Sequence, residues 1–446
     1  MSAIAGCTRP GARADVEGML ARIAHRGPAG RAIHETDAGT LGMAWTRAQA
    51  ASSRILETEQ TAQDHARTGR LAQATIKADG LFLTRDLPGI APLYFARTRD
   101  GTLYFASEVK ALLSFSRDIR CLPPGHHYDG TKLRAFSRLE PQPALVAEPQ
   151  AIARELGSRL ADAVQQALDG NEVGCWLSGG LDSSAMAALA RRQVNTLHTF
   201  AGGLAGAPDL EYARQVARYI GSKHHEITVS FDQMLAILPT VIYHLESFDA
   251  PLVRSSIINY LVGRAAADYV PAVLSGEGGD ELFAGYAYLK QVAPAALADE
   301  LLDITQRLHN TALQRVDRCS AAHGILAHVP FLAPQVIDYA LRIPVALKLH
   351  ENTEKWILRQ ALADLLPLAI LNRPKAKFWA GAGVGDLLTQ YAEARIGDDE
   401  FEQERTLPNG WVLHSKEELM YYRIFREHFE LADLSWMGRT KGGPQT

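Results

Sequence analysis

The four cysteines of this 446-residue chain, Cys7, Cys121, Cys175 and Cys319, stand far apart and form no CxxC pair. A structural zinc or a redox dithiol is therefore not expected, and reduced thiols in a cytosolic protein are the plain reading. No run of about 18 apolar residues is present to cross a bilayer. The start, MSAIAGCTRPGARAD, lacks a basic stretch followed by a long apolar core and does not read as a signal peptide. A basic excess is missing too: Lys+Arg number 46 against Asp+Glu 50, a net charge of −4. That disfavours nucleic acid as a partner and leaves small anions open, since they need only a local cluster. No internal repeat or low-complexity segment is visible. The expectation is a soluble, cytoplasmic protein without a membrane or nucleic-acid partner, long enough for two or three domains.

Two regimes of patterning follow one another. Up to about residue 145 the chain reads as short strands and turns. The stretch LFLTRDLPGIAPLYFARTRDGTLYFAS (81–107) alternates β-formers with Pro-Gly and Asp-Gly punctuation, as a meander would, and LPPGHHYDG closes the region. Residues of roughly 138 to 150 are Pro-rich and polar, as in a linker. From Ile152 the period changes: Ile152, Leu156, Leu160, Val164 and Leu168 fall four apart on one helical face, and Asp169-Gly170 ends the run. Strands expected at 172–177, 197–201, 224–229 and 271–275 then alternate with helices at 182–192 and 209–221 and with two helices spanning about 231–269. Such alternation predicts a parallel sheet with helices on both faces. Beyond Glu281 the pattern is almost wholly helical.

The stretch CWLSGGLDSSAMAALARR (175–192) carries the chemistry. Two glycines after a strand let a ligand approach the backbone where a Cβ would clash. Leu177 to Gly180 form the turn, and Ser178, Ser183 and Ser184 offer hydroxyls to phosphate oxygens. The helix that opens at Asp182 adds free N–H groups and the positive end of its dipole. The Gly-Lys-Ser/Thr of kinase-type phosphate loops is absent; instead an acid, Asp182, stands where it can recruit Mg²⁺ to the phosphates. Taken alone, SGG followed by Asp is also an ordinary N-cap and turn.

In full, SGGLDSS resembles the PP-loop of ATP pyrophosphatases. Four further stretches resemble one branch of that superfamily: PDLEYARQVARYIGSKHHEI (208–227), LSGEGGDELFAGY (274–286), KWILRQALADLLPLAILNRPKAKF (355–378), and RDLPGIAPLYF with FASEVKALL and LPPG. The chain is on these grounds similar, over nearly its whole length, to the asparagine synthetase B-like family, which also holds β-lactam synthetases and lasso-peptide cyclases. The resemblance implies an N-terminal Ntn-hydrolase-like αββα domain (1–145) and a C-terminal PP-loop synthetase domain with a helical extension (146–446). It implies ATP and Mg²⁺ as cofactors, with Leu177, Ser178, Gly179, Gly180, Asp182, Ser183, Ser184, Ser275 and Gly276 at the nucleotide. Asp182 and Asp280 match positions that hold the metal. Lys375 matches a lysine that meets charge developing on the α-phosphate and acyl oxygen, with Lys377 a weaker candidate. Glu277 matches a proton acceptor for an attacking amine, a position that is Tyr in β-lactam synthetases. Arg254 is retained in the substrate segment.

The sequence also departs from the family. Members begin Met-Cys-Gly-Ile with a nucleophilic Cys, whereas Ser2 and Ala3 stand here. Residues 48–80 contain no Asn-Gly-Glu stretch to hold glutamine, and HRGPAG keeps His25 to Pro28 but has Ala29 for the usual Asp. These features predict a retained scaffold that no longer makes ammonia. On the substrate side, Pro251, Leu252, Leu326, His328 and Ala333 replace polar family residues, which should disfavour aspartate. The resulting expectation is an AMP-forming amide synthetase that joins a carboxylate other than free aspartate to ammonia or another amine, taken from solution or a separate partner. A cyclase of the β-lactam or lasso type, an ammonia-dependent asparagine synthetase and a catalytically silent regulatory subunit are the alternatives. A homodimer is one assembly option.

Overall fold

In the computed structural model, residues 3–49, 69–77, 80–168, 173–374, 378–430 and 433–440 are described. Among the described residues, ten strands build the N-terminal part. They are β1 (Ala3–Cys7), β2 (Gly30–Thr36), β3 (Gly39–Trp45), β4 (Ala72–Lys77), β5 (Gly80–Arg85), β6 (Tyr94–Arg97), β7 (Leu103–Ala106), β8 (Ile119–Cys121), β9 (His126–Tyr128) and β10 (Leu133–Ala135). They form two antiparallel sheets, of order β2-β3-β1-β7-β6-β8 and β10-β9-β5-β4. Alternation in the strands explains the layering. Ile4, Met43, Phe95 and Phe105 pack with Ala74, Ile76, Leu81 and Leu83 in the core between the sheets. Ala5, Ala44, Ala96 and Tyr104 point to the other face, where helix α1 (Arg13–Arg22) lays Val16, Met19 and Leu20.

The expected meander in 81–107 is split: β5 belongs to one sheet and the β6–β7 hairpin to the other. Strand pairing also continues past LPPGHHYDG, because β9 and β10 pair as far as Ala135. Residues 138–148 have no regular structure, apart from a bend, and are tied down by Leu145, whose N–H donates to the Arg342 carbonyl.

The helix expected from Ile152 is α2 (Pro149–Ala167), with Ile152, Leu156, Leu160 and Val164 buried. A five-stranded parallel sheet follows: β11 (Val173–Trp176), β12 (His198–Gly203), β13 (Lys223–Thr228), β14 (Ala272–Leu274) and β15 (Leu326–His328), in the order β13-β12-β11-β14-β15. Between them lie α3 (Leu181–Arg191), α4 (Pro208–Ile220), α5 (Phe231–Leu245), α6 (Ala250–Ala266), α7 (Gly279–Phe283), α8 (Leu297–Gln306) and α9 (Ala312–Ala321). Sequence and structure differ at β15, which falls in the region read as helical. Three residues are too few to show alternation, and this strand is defined by its pairing with β14. Strand order reverses between β11 and β14, so the crevice at their carboxyl ends is where an open α/β sheet admits a ligand.

Candidate active site

The loop after β11 is built by its neighbours. Gly179 has φ +69°, and a Cβ there would meet the Tyr212 Cβ at 2.4 Å and the Ala213 nitrogen at 2.6 Å. Helix α4 therefore presses on the loop, and glycine satisfies both the backbone conformation and the space. The Ser183 hydroxyl donates to the Gly180 carbonyl (3.2 Å), accepts from the Ser178 N–H (3.2 Å) and lies 3.1 Å from the Ser178 hydroxyl. These three bonds shape the turn at the start of α3. Ser184, by contrast, is fully buried, so its side chain does not line the loop surface beside Ser178 and Ser183.

The loop after β14 crosses the first turn of α3. A Cβ on Gly276 would fall 2.9 Å from Asp182 atoms, and one on Gly279 only 2.6 Å from its carboxyl group. Two glycines in GEGGD thus let the loop carrying Asp280 close on Asp182. Both acids converge on one ammonium: Lys355 Nζ lies 2.5 Å from Asp182 Oδ2 and 2.6 Å from Asp280 Oδ1. Lys355 is itself buried, at a left-handed φ of 55°, between the short strand Thr353–Glu354 and the helix Trp356–Ala361. Glu281, next in sequence, is raised to about 7, first by burial and then by the charge of Asp280. Carboxylates gathered at one point keep a net negative charge even beside one lysine, and they present the hard oxygen donors that Mg²⁺ takes. The donor chemistry of Asp182 and Asp280 is compatible with Mg²⁺.

Lys355 was not singled out by sequence reasoning, although it opens the motif that contains Lys375. A second residue missed is Arg373. Its guanidinium donates to the Ser178 carbonyl (3.1 Å), pairs with Asp209 and lies 3.9 Å over the Tyr212 ring. It ties the segment leading to Lys375 onto the loop after β11. Lys375 and Lys377 lie outside the described residues, as does Ser2.

Glu277 stands on the β14 loop and accepts a 2.6 Å bond from Arg315 of α9. Arg315 keeps its charge because, although burial works against it, Glu277 outweighs that penalty and raises its pKa. Arg254 is placed differently from the substrate role expected of it. On α6 it bonds Glu417 through Nε (3.1 Å) and Nη2, with Thr389 at 3.1 Å. Its fork is engaged within the protein, on a carboxylate that also accepts from Tyr421 at 2.7 Å.

A parallel sheet with a glycine-rich loop at its switch point and paired carboxylates across it places the chain in the α/β class, with a crevice where such sheets take ligands. Comparison with known proteins makes the class specific. A model of asparagine synthase matches residues 155–299 and 293–441, and a glutamine amidotransferase domain model matches 52–114. Asparagine synthetase B (glutamine-hydrolyzing) of Escherichia coli strain K12 is 35% identical over 377 residues, covering 79% of this chain and 68% of that protein. A probable asparagine synthetase (glutamine-hydrolyzing) of Schizosaccharomyces pombe is 35% identical over 410 residues, 82% of this chain and 73% of that one. The asparagine synthetase of Gallus gallus is 33% identical over 396 residues, 78% of this chain and 70% of that one. The chain belongs to the asparagine synthetase family, whose members are ATP-using carbon–nitrogen ligases.

Proposed function

We propose that the protein is an AMP-forming amide synthetase of two domains, 1–145 and 146–446, the first an Ntn-type αββα fold and the second a PP-loop fold. The observation that carries this reading is the meeting of Asp182 and Asp280 at Lys355, across the switch point of the parallel sheet. Leu177 to Gly180, Ser183, Ser275 and Gly276 surround the nucleotide phosphates. Bound Mg²⁺ would neutralise phosphate charge there, held by Asp182 and Asp280. The substrate carboxylate attacks the α-phosphate of ATP and displaces pyrophosphate. Lys375, by its match to the family lysine, offsets the charge that develops. An amine then attacks the acyl-adenylate, Glu277 takes its proton, and AMP leaves.

The changes at Ser2, Ala3 and Ala29, with the missing Asn-Gly-Glu stretch, support an N-terminal domain that does not hydrolyse glutamine. Ammonia or another amine then arrives from solution or from a separate protein, in the cytoplasm. Apolar replacements at Pro251, Leu252, Leu326 and Ala333 support a carboxylate less polar than aspartate. The identity to glutamine-hydrolysing asparagine synthetases favours a second reading, an asparagine synthetase acting on aspartate itself.

Pyrophosphate release from Mg²⁺-ATP across a panel of carboxylates, with ammonium or glutamine, separates them. Turnover of another carboxylate and silence with aspartate supports the first. Turnover of aspartate with ammonium alone supports the second without glutamine hydrolysis. Product formed from glutamine overturns the loss of glutaminase activity, and a product lighter by one water without added amine points to a cyclase.

A further inference from the structure

Helix α9 bonds the candidate catalytic loop and the N-terminal sandwich at once. Arg315 holds Glu277 at 2.6 Å. Two residues on, Asp317 receives a two-pronged bond from Arg26, with Nη1 to Oδ2 at 2.8 Å and Nη2 to Oδ1 at 2.9 Å. Arg70 adds a third bond to Oδ1 at 2.8 Å. The next residue, Arg318, donates to the Ser107 carbonyl at 3.1 Å and pairs with Glu108 at 3.0 Å. Arg26, Glu108 and Arg318 are at most 1% exposed, and Asp317 only 6%.

The chemistry of these bonds decides what they do. Surface ion pairs rearrange freely, whereas a buried two-pronged guanidinium–carboxylate pair fixes distance and orientation together. Removing one member would leave the other charge buried without its partner. A ten-residue helix held this way cannot slide or rotate while the sandwich is docked, and Arg315 is carried on it. Bridge length matters as well, because an acceptor that takes a proton in a transition state works only within hydrogen-bond reach.

We infer that the N-terminal sandwich is a positioning element for the synthetase site: Arg26 and Arg70 clamp Asp317, so helix α9 presents Arg315 and sets the orientation of Glu277. Arg26, Arg70 and Asp317 are positioning residues, since they reach the site through Arg315. This assigns the sandwich a role that requires no glutamine hydrolysis. It rests on the proposal that Glu277 is the proton acceptor, while the mechanical link itself is separate from that proposal.

The test uses the full chain with Arg26→Gln, and Arg70→Gln as a milder variant should the first not fold. Hydrogen exchange read by mass spectrometry is expected to quicken about threefold or more both in α9 and in the loop 275–281, with β12 and β13 unchanged. Amide formation is expected to fall about 10- to 100-fold, with carboxylate-dependent ATP–pyrophosphate exchange kept within about twofold. The double variant with Arg315→Gln should lose little beyond Arg315→Gln alone, as for residues acting in one chain. Faster exchange confined to α9 and the sandwich, with the 275–281 loop unmoved, would overturn the link. Equal loss of both activities would overturn the positioning role. If the unaltered protein makes no amide from any pair offered, the proposed function fails, and the exchange result still decides the link.

Discussion

The ammonium of Lys355 lies 2.5 Å from a carboxylate oxygen of Asp182, a residue 173 positions earlier in the chain. Asp280 holds the same ammonium from a third segment. In this structure Lys355 balances part of the charge of two acids brought together from separate loops. Substituting Lys355→Met keeps length and removes the charge, leaving the acids beside each other. Stability should drop by about 3 kcal/mol or more in the absence of divalent cation. Millimolar Mg²⁺ should restore a large part, because it satisfies the same oxygens. Thermal melts of both proteins with Mg²⁺ or EDTA check this; an equal loss in either buffer would rule out a shared cation site.

Glu277 invites a cleaner test, because Gln can still accept from Arg315. Glu277→Gln should leave the bridge and the fold intact and remove only the capacity to take a proton. Amide formation should fall about 10²–10⁴-fold, whereas carboxylate-dependent ATP–pyrophosphate exchange should persist. Parallel loss of both would place Glu277 in the first half-reaction instead.

The pH dependence of stability follows from partly buried imidazoles. Burial, with help from His25 and Lys110, pushes His244 down to about 3. Burial likewise lowers His323 to about 4 and His309 to about 3. In the unfolded chain each returns to about 6.5. Between those values the unfolded state binds more protons, so stability is present in full above pH about 6.5 and is lost as pH falls toward the folded values. Glu281, raised to about 7, binds its proton more tightly in the folded state over the same window and works against this slope. Glu108 does not act there: burial opposes its charge, but Lys110, His25 and Arg318 outweigh that and hold it well below the carboxylate range. Its contribution is lost only at more acid pH. In urea unfolding at pH 7 and pH 5 each histidine should therefore contribute about 1 kcal/mol to the difference, less the opposing share of Glu281. His244→Gln should remove its share of the slope; an unchanged slope in that variant would dismiss the assignment.

Local signals carried much of this fold into view. The period of Ile152, Leu156, Leu160 and Val164 marked α2, and the strand–Gly–Gly–helix junction at 175–192 marked the loop after β11, because both depend on neighbours within one turn. Asp182 and Asp280 were legible through their motifs. Lys355 was not, since a lysine in a helical stretch reads as solvated and its burial comes from loops distant in sequence. Strand β15 was hidden by its three-residue length. The role of Arg373 depends on Ser178 and Asp209, which no spacing along the chain reveals.

Arg254 shows the same limit, and it separates two roles by experiment. Its motif points to a substrate carboxylate, yet its fork binds Glu417, 163 positions away and buried. If the pair is structural, Arg254→Gln leaves the Glu417 charge without its cation and lowers stability by about 3 kcal/mol. Adding Glu417→Gln removes the stranded charge, so the double variant should recover most of that loss. If instead Arg254 binds substrate, the single variant should raise KM for the carboxylate with little change in stability, and Glu417→Gln should not rescue it. Chemical denaturation of the two single variants and the double, alongside KM for whichever carboxylate is turned over, distinguishes these outcomes. The engaged geometry predicts the stability loss and its rescue.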